Sequence, residues 1–258
     1  MPKTAFQHFS EDIKRAEVMV KHAVRQPSKQ VAKKMLRDDV LRGAWMTAVG
    51  ALDAYFCDAY ADLVASCLIS KTRQRNIRLG KKISSINVPA GTFFSEHGIR
   101  ENWRWRMAAR GIIEKDNVLS LGKISELLNP FLLPNHKFFG DVLDKMMSAH
   151  GANARMFATS RTAYSNMNAA QKVQARKLAP KQFGKRFRNI FQRRHDCIHN
   201  CDRPRIAIQP VSSPGTVANV IRDIRFVVGH CDSHLNREFP RYLISRGCTR
   251  ATITLVGY

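Results

Sequence analysis

Arg193-Arg194-His195-Asp196-Cys197-Ile198-His199-Asn200 places permanent cations, two imidazoles and an amide within eight residues. An arginine stays protonated at any working pH and offers a planar fork of donors that matches a phosphate. An imidazole takes or gives a proton near neutrality. Pro180 precedes the stretch, and Gln182 to Asn200 reads as one helix. On an ideal helix each residue advances about 100°, so His195 and His199 lie about 40° apart and share a face, while Arg194 is displaced from His199 by about 140°. A curling side chain or a neighbouring copy of the chain is then needed to bring that guanidinium to the same phosphate.

Around this helix the chain carries 43 Lys and Arg against 20 Asp and Glu, a formal net charge of +23. Such an excess points to a polyanionic partner. With 44% hydrophobic and 24% charged residues, the composition is too apolar for a disordered polybasic tail, so the charge belongs on a folded surface. A chain of 258 residues buries a large core without staples and reads as one domain with elaborations. Met1-Pro-Lys-Thr-Ala-Phe6 lacks the apolar stretch of a signal peptide, and Cys57, Cys67, Cys197, Cys201, Cys231 and Cys248 are widely scattered. Reduced thiols in the cytoplasm are therefore expected. The richest apolar stretch, Gly43 to Ile69, is broken by Asp53, Asp58 and Asp62, which argues against a membrane span.

Upstream, Ser10-Glu11-Asp12 supplies a helix start, and Ile13, Ala16, Val20, Ala23 and Val24 follow at helical spacing as far as Pro27. Asp38 or Asp39 opens the longest apolar segment, which runs from Trp45 to Leu68 and is apolar on nearly every side, as a central helix would be. Lys71 to Lys82 concentrates six positive charges, either a solvated helix end or an RNA contact, and Asn87 to Gly91 reads as a loop. Further helices are predicted over Arg100 to Ile113, Ser120 to Leu128, Phe138 to Ala149 and Val217 to Leu235. Gly151 to Ala179 is polar with little periodicity and reads as a mobile insert or a weakly packed helix pair. Alternating β-branched residues in Ala251 to Val256 fit a lone strand.

Arg194 and His199, four residues intervening and a polar residue directly after the arginine, resemble the R-x4-6-H signature of HEPN domains. The string Arg193 to Asn200 is similar to the Arg-Arg-Asn-x-Ile-x-His form of HEPN ribonucleases and toxins, with His195 at the polar position more often held by Asn or Asp. Ala51 to Asp58 looks like the early helix of such domains, in which an acidic residue can face the motif. The resemblance covers about residues 39 to 69 and 183 to 236. It implies a HEPN-like helical bundle, and together with the pattern along the chain the expectation is an all-α fold with helical insertions and a short C-terminal strand: an N-terminal basic helical extension over residues 1–38, the HEPN-like domain over 39–248 with an insert at about 71–180, and a tail over 249–258.

The resemblance also implies a dimeric RNA endonuclease that needs neither metal nor cofactor, with its motifs facing each other across a two-fold axis. The 2′-hydroxyl attacks the adjacent phosphorus and leaves a 2′,3′-cyclic phosphate and a 5′-hydroxyl. His199 is assigned to proton transfer, Arg194 to the charge on the non-bridging oxygens, and His195 to orienting His199 or to acting as a second acid. Arg193, Asn200, Arg188 and Arg186 are the candidates for holding substrate. Family members are often toxins or antiphage effectors, so a partner such as an antitoxin or another defence protein is expected. Asp53 has three readings: a pair with Arg194, a charge on a basic face, or a solvated edge, with the last two together favoured.

Two other chemistries compete. Cys197 and Cys201 interleave with His195 and His199, and His230, Cys231 and His234 follow, all ligand types for zinc. Residues two apart on a helix point about 200° from one another, so the cysteine pair and the histidine pair face different sides. Buried thiols on a core face account for the cysteines more simply, and His230 and His234 read as ordinary helix-face residues. Trp103-Arg104-Trp105-Arg106 offers rings for bases and cations for phosphates, although one of the two tryptophans is expected in the core. With an inactive motif the chain would still be a basic helical module that binds RNA or DNA, or a scaffold subunit of a defence complex.

Overall fold

The computed structural model describes residues 4–25, 30–87, 91, 101–113, 118–149, 153–199 and 213–256, with the backbone alone for 101, 102, 153 and 199. Helices dominate: α1 (Ala5–Arg25), α2 (Val31–Arg73), α3 (Lys81–Ser84), α4 (Glu101–Ile113), α5 (Leu121–Leu128), α6 (Phe138–Ser148), α7 (Asn153–Phe157), α8 (Arg161–Ser165), α9 (Ala169–His199), α10 (Pro214–Ser245) and α11 (Arg250–Leu255). A 3-10 turn over Asn129–Phe131 follows α5. Among the described residues there is no strand, so the protein is all-α. None of the described helices is long and apolar enough to cross a membrane. The loop expected after residue 200 lies outside the described residues, as does most of the one expected over 87–91.

Several helices start earlier than their sequence signals. α1 begins at Ala5 because Ala5 and Phe9 continue the buried face of Ile13, Ala16 and Val20 by two more steps, leaving Ser10 inside the helix. α2 begins at Val31, since Ala32, Lys33, Lys34, Met35, Leu36 and Arg37 are good helix formers and nothing stops propagation back from Asp38. α9 starts at Ala169, where Asn168 and Gln171 exchange side-chain and backbone hydrogen bonds of 2.9 and 3.0 Å in a capping box. It continues through Pro180 because Ala179, Phe183, Phe187 and Ile190 form one buried row on both sides of the proline.

The C-terminal strand is a misreading. Residues 250–255 are helical, with Thr249 as N-cap accepting a hydrogen bond from the Thr252 amide at 3.3 Å, and Thr252 and Ile253 buried. Of the two readings of 151–179, the helical one is nearer: residues 153–179 form α7, α8 and the first turns of α9, and they bury Met156, Phe157 and Tyr164.

The chain divides into two units. One comprises Met1–Phe6, Tyr55–Val142 and Cys231–Tyr258. Its core is an aromatic chain in which the Phe131 ring meets Tyr60 and Phe239 edge-on, with centroids 5.8 and 6.1 Å away, and Phe138 meets Phe56 at 6.4 Å. Arg106 and Arg110 of α4 pair with Asp62 and Asp58 of α2 at 2.5 and 2.6 Å. Arg106 also lies 5.8 Å from the Trp103 ring. Trp103 and Trp105 are both only half-buried, so neither is the core residue expected.

The other unit comprises Gln7–Ala54 and Leu143–His230. α1 and α2 approach closely at Gly43, where a Cβ would lie 2.7 Å from Met19 Cε. α7, α9 and α10 meet at Asp223, which is 0% exposed. Its Oδ1 accepts from Arg155 at 2.8 and 2.6 Å, and its Oδ2 accepts from Arg186 at 2.9 and 2.7 Å. Each carboxylate oxygen thus receives a two-pronged guanidinium, which is how a buried acid offsets its lost hydration.

Candidate functional site

Among the described residues, α2 and α10 both hold the motif-bearing end of α9. The Trp45 indole of α2 is buried and donates to the Ile190 carbonyl at 3.1 Å, one turn before Arg194. A buried indole N–H needs such a partner, and this one fixes α2 against the turn that leads into the motif. Further back, the Asp223 pair holds Arg186 inward.

Beyond Ile190 the residues of the motif diverge. Arg194 is half-buried and lies within electrostatic reach of Asp53 on α2. Asp53 is itself half-buried, and its Oδ1 is enclosed with no hydrogen-bond partner among the described residues. Burial pushes the Asp53 carboxyl above its ordinary range, and the Arg194 guanidinium pulls it part of the way back. Asp53 is thus less solvated than an open edge; Arg194 acts on its charge through space, and among the described residues no hydrogen bond or ion pair joins the two.

His195 is exposed, as its position on the outer face of α9 requires, and Arg193 is half-buried. Asp196 is buried and accepts from Gln192 at 2.9 Å, which leaves it a structural role within the helix. His199 is the last residue of α9; its side chain, and the whole of Asn200, lie outside the described residues. Arg188 is exposed on the same helix. Arg186 is the inward partner of Asp223 rather than an outward cation, so its two-pronged contact is already engaged.

The described residues hold only part of the zinc constellation, since Cys201 and the His199 side chain lie outside them. Cys197 is half-buried, and no group of three or more His, Cys, Asp or Glu among the described residues is placed to hold a metal ion. His234 is not an ordinary helix-face residue. It is 2% exposed, in edge contact with the Phe138 ring at 5.8 Å, and its Nε2 lies 3.9 Å from Asp141, which also meets His136 at 2.6 Å. His230 is half-buried with its ring against Phe226 at 4.5 Å.

Sequence reasoning passed over Trp45 and Asp223, although each left a signal. Asp223 falls three residues after Val220 and four before Val227, on the face of α10 that an apolar helix buries, and an acid there demands a cationic partner. Trp45 stands in an apolar helix as the one side chain with a donor to satisfy between Leu41 and Leu52 at core positions. Comparison with family models, with curated proteins and with solved structures gave no match.

Proposed function

We propose that the chain is a metal-independent RNA endonuclease of HEPN type, acting as a toxin or antiphage-defence effector. The observation that carries the reading is Arg194, in the R-x4-H spacing, within electrostatic reach of the half-buried Asp53 of a second helix. An acid within electrostatic reach of the guanidinium favours holding it in place, and a transition-state donor works only when it is preorganised.

In this mechanism His199 accepts the proton of the RNA 2′-hydroxyl as its oxygen bonds to phosphorus, and the 5′-oxygen leaves with a proton. Arg194 meets the non-bridging oxygens, where negative charge grows, and Asp53 positions Arg194. His195, exposed one turn earlier, serves as the second proton carrier or as the orienting group. DNA lacks the nucleophile and resists. The motif acts in a homodimer, and control of so hazardous an activity falls to a regulatory partner.

Total RNA incubated in EDTA with wild type and His199→Ala tests this reading. Loss of a catalysed proton transfer lowers a rate by about 100-fold or more, so fragments with 2′,3′-cyclic phosphate ends should appear with the wild type and all but vanish with the variant. A second reading, a non-catalytic basic module for RNA or DNA, is favoured by α9 itself, which carries nine Lys and Arg against the single acid Asp196. Equal behaviour of both proteins, with RNA still bound, would select that reading.

A further inference from the structure

The cations of α9 sort themselves by face. Arg186 is turned to Asp223, and Arg176 is held by Tyr164 at 3.0 Å and Asp144 at 3.6 Å. Lys177, Lys181, Lys185 and Arg188 are exposed and have no acidic partner among the described residues. Taking Lys177 as origin and advancing about 100° per residue, Lys181, Lys185 and Arg188 lie at about 40°, 80° and 20°, and His195 returns to about 0°. Arg186 and Arg176 lie about 180° and 100° away on the same count. Arg186 and Arg176 are thus engaged with the fold, while Lys177, Lys181, Lys185 and Arg188 fall within one sector of about 80°, a row that runs about 27 Å along the axis to the exposed His195.

We propose that this row is a phosphate track that lays a single-stranded RNA segment along α9 and delivers it to the motif. It rests on the nuclease reading only for what happens at its end. Four-residue steps place successive lysines about 6 Å apart along the axis, comparable to the separation of phosphates in an extended strand. A duplex strand winds away from a straight row after a few nucleotides, whereas a flexible single strand follows it. No aromatic side chain falls among these cations, and Phe191, about 40° to one side of the row, packs edge-on against Phe187, so the row grips the backbone without stacking bases and without reading sequence. It does not separate RNA from DNA either; that choice is left to the reaction's need for a 2′-hydroxyl.

The test uses the full-length protein and a deoxythymidine oligonucleotide, which presents the same phosphates and cannot be cleaved by this route. Binding by fluorescence anisotropy is followed against salt for the wild type and for a track variant, Lys177→Gln, Lys181→Gln, Lys185→Gln and Arg188→Gln together. A control variant removes as much charge from the exposed face of α1, by Lys14→Gln, Arg15→Gln, Lys21→Gln and Arg25→Gln. Each phosphate contact on a single strand contributes about 0.7 to the slope of log affinity against log salt, so the track variant should lose up to about 3 and the control little. Equal losses in the two variants would overturn the track. Tighter, equally track-dependent binding of a duplex would overturn its assignment to single strands. Because no cleavage is read, a failed track leaves the nuclease test untouched, and a sound track beside an inactive motif points to the binding module.

Discussion

At the scale of single residues the chain places two ionisable groups where water does not reach them well, with opposite consequences. Asp53 is drawn toward its neutral form by burial and back by Arg194. His234 is held below its usual value by burial and by His136, against the opposing pull of Asp141 and Glu238, with Arg237 donating toward its Nδ1 at 3.3 Å. A base whose folded value is lowered contributes stability that is present above its unfolded value of about 6.5 and is lost as pH falls through the folded value. Melting temperature should therefore fall between pH 7 and pH 5 by more in the wild type than in His234→Gln, as followed by circular dichroism. A parallel decline in the two proteins would show that His234 does not drive the change. Neither residue's surroundings were legible in the sequence. Asp53 belongs to a helix that is apolar on almost every side, where spacing does not say which acid faces inward. His234 sits at a helical interval from Leu235 and Glu238 that permits either face.

At the scale of elements, the helices whose ends carry their own chemistry were the legible ones. α5 begins after Ser120, whose Oγ accepts from the Lys123 amide at 3.1 Å, and it ends at Asn129-Pro130, as read. α4 and α6 fall close to their expected ranges because their apolar periods are strong, whereas α10 runs ten residues past Leu235, through Pro240, because Phe239, Tyr242 and Leu243 extend its buried face. α11 was misread because Thr252, Ile253 and Thr254 suit a strand by propensity, and only the Thr249 cap decides otherwise. α9 was read short because Pro180 looks like a boundary, whereas the row from Ala179 to Ile190 carries the helix past it. The pairing of α7, α9 and α10 at Asp223 depends on residues 31 or more apart in sequence, beyond any local pattern. Asp223→Asn leaves Arg155 and Arg186 facing a neutral amide and should destabilise this unit by about 3–5 kcal/mol in urea denaturation. Replacing all three members, by Asp223→Leu with Arg155→Met and Arg186→Leu, should restore much of the loss, since an apolar cluster then replaces the ion triad.

At the scale of the whole molecule, an excess of positive charge and the proposed pairing of the motif's arginine with a second catalytic group lead to one expectation. If the motifs of two copies form a single site, cleavage per mole of chain should drop when the protein is diluted below its dimer dissociation constant, and sedimentation at the same concentrations should locate that constant. Activity strictly proportional to concentration across the monomer–dimer transition would assign a complete site to each copy. Charge was the part of the whole legible from composition. The distribution of that charge was not, because it depends on which arginines the buried acids Asp58 and Asp223 capture. One further feature reaches beyond activity. Cys67 and Cys231 are both fully buried, their thiols pushed far toward the protonated form, and both belong to the unit that contains α4 and α11. A slow alkylating reagent can modify them only in molecules whose interior has opened, so the chain has a chemical clock built into one half, and mass spectrometry of those two sulfurs would time how often that half breathes.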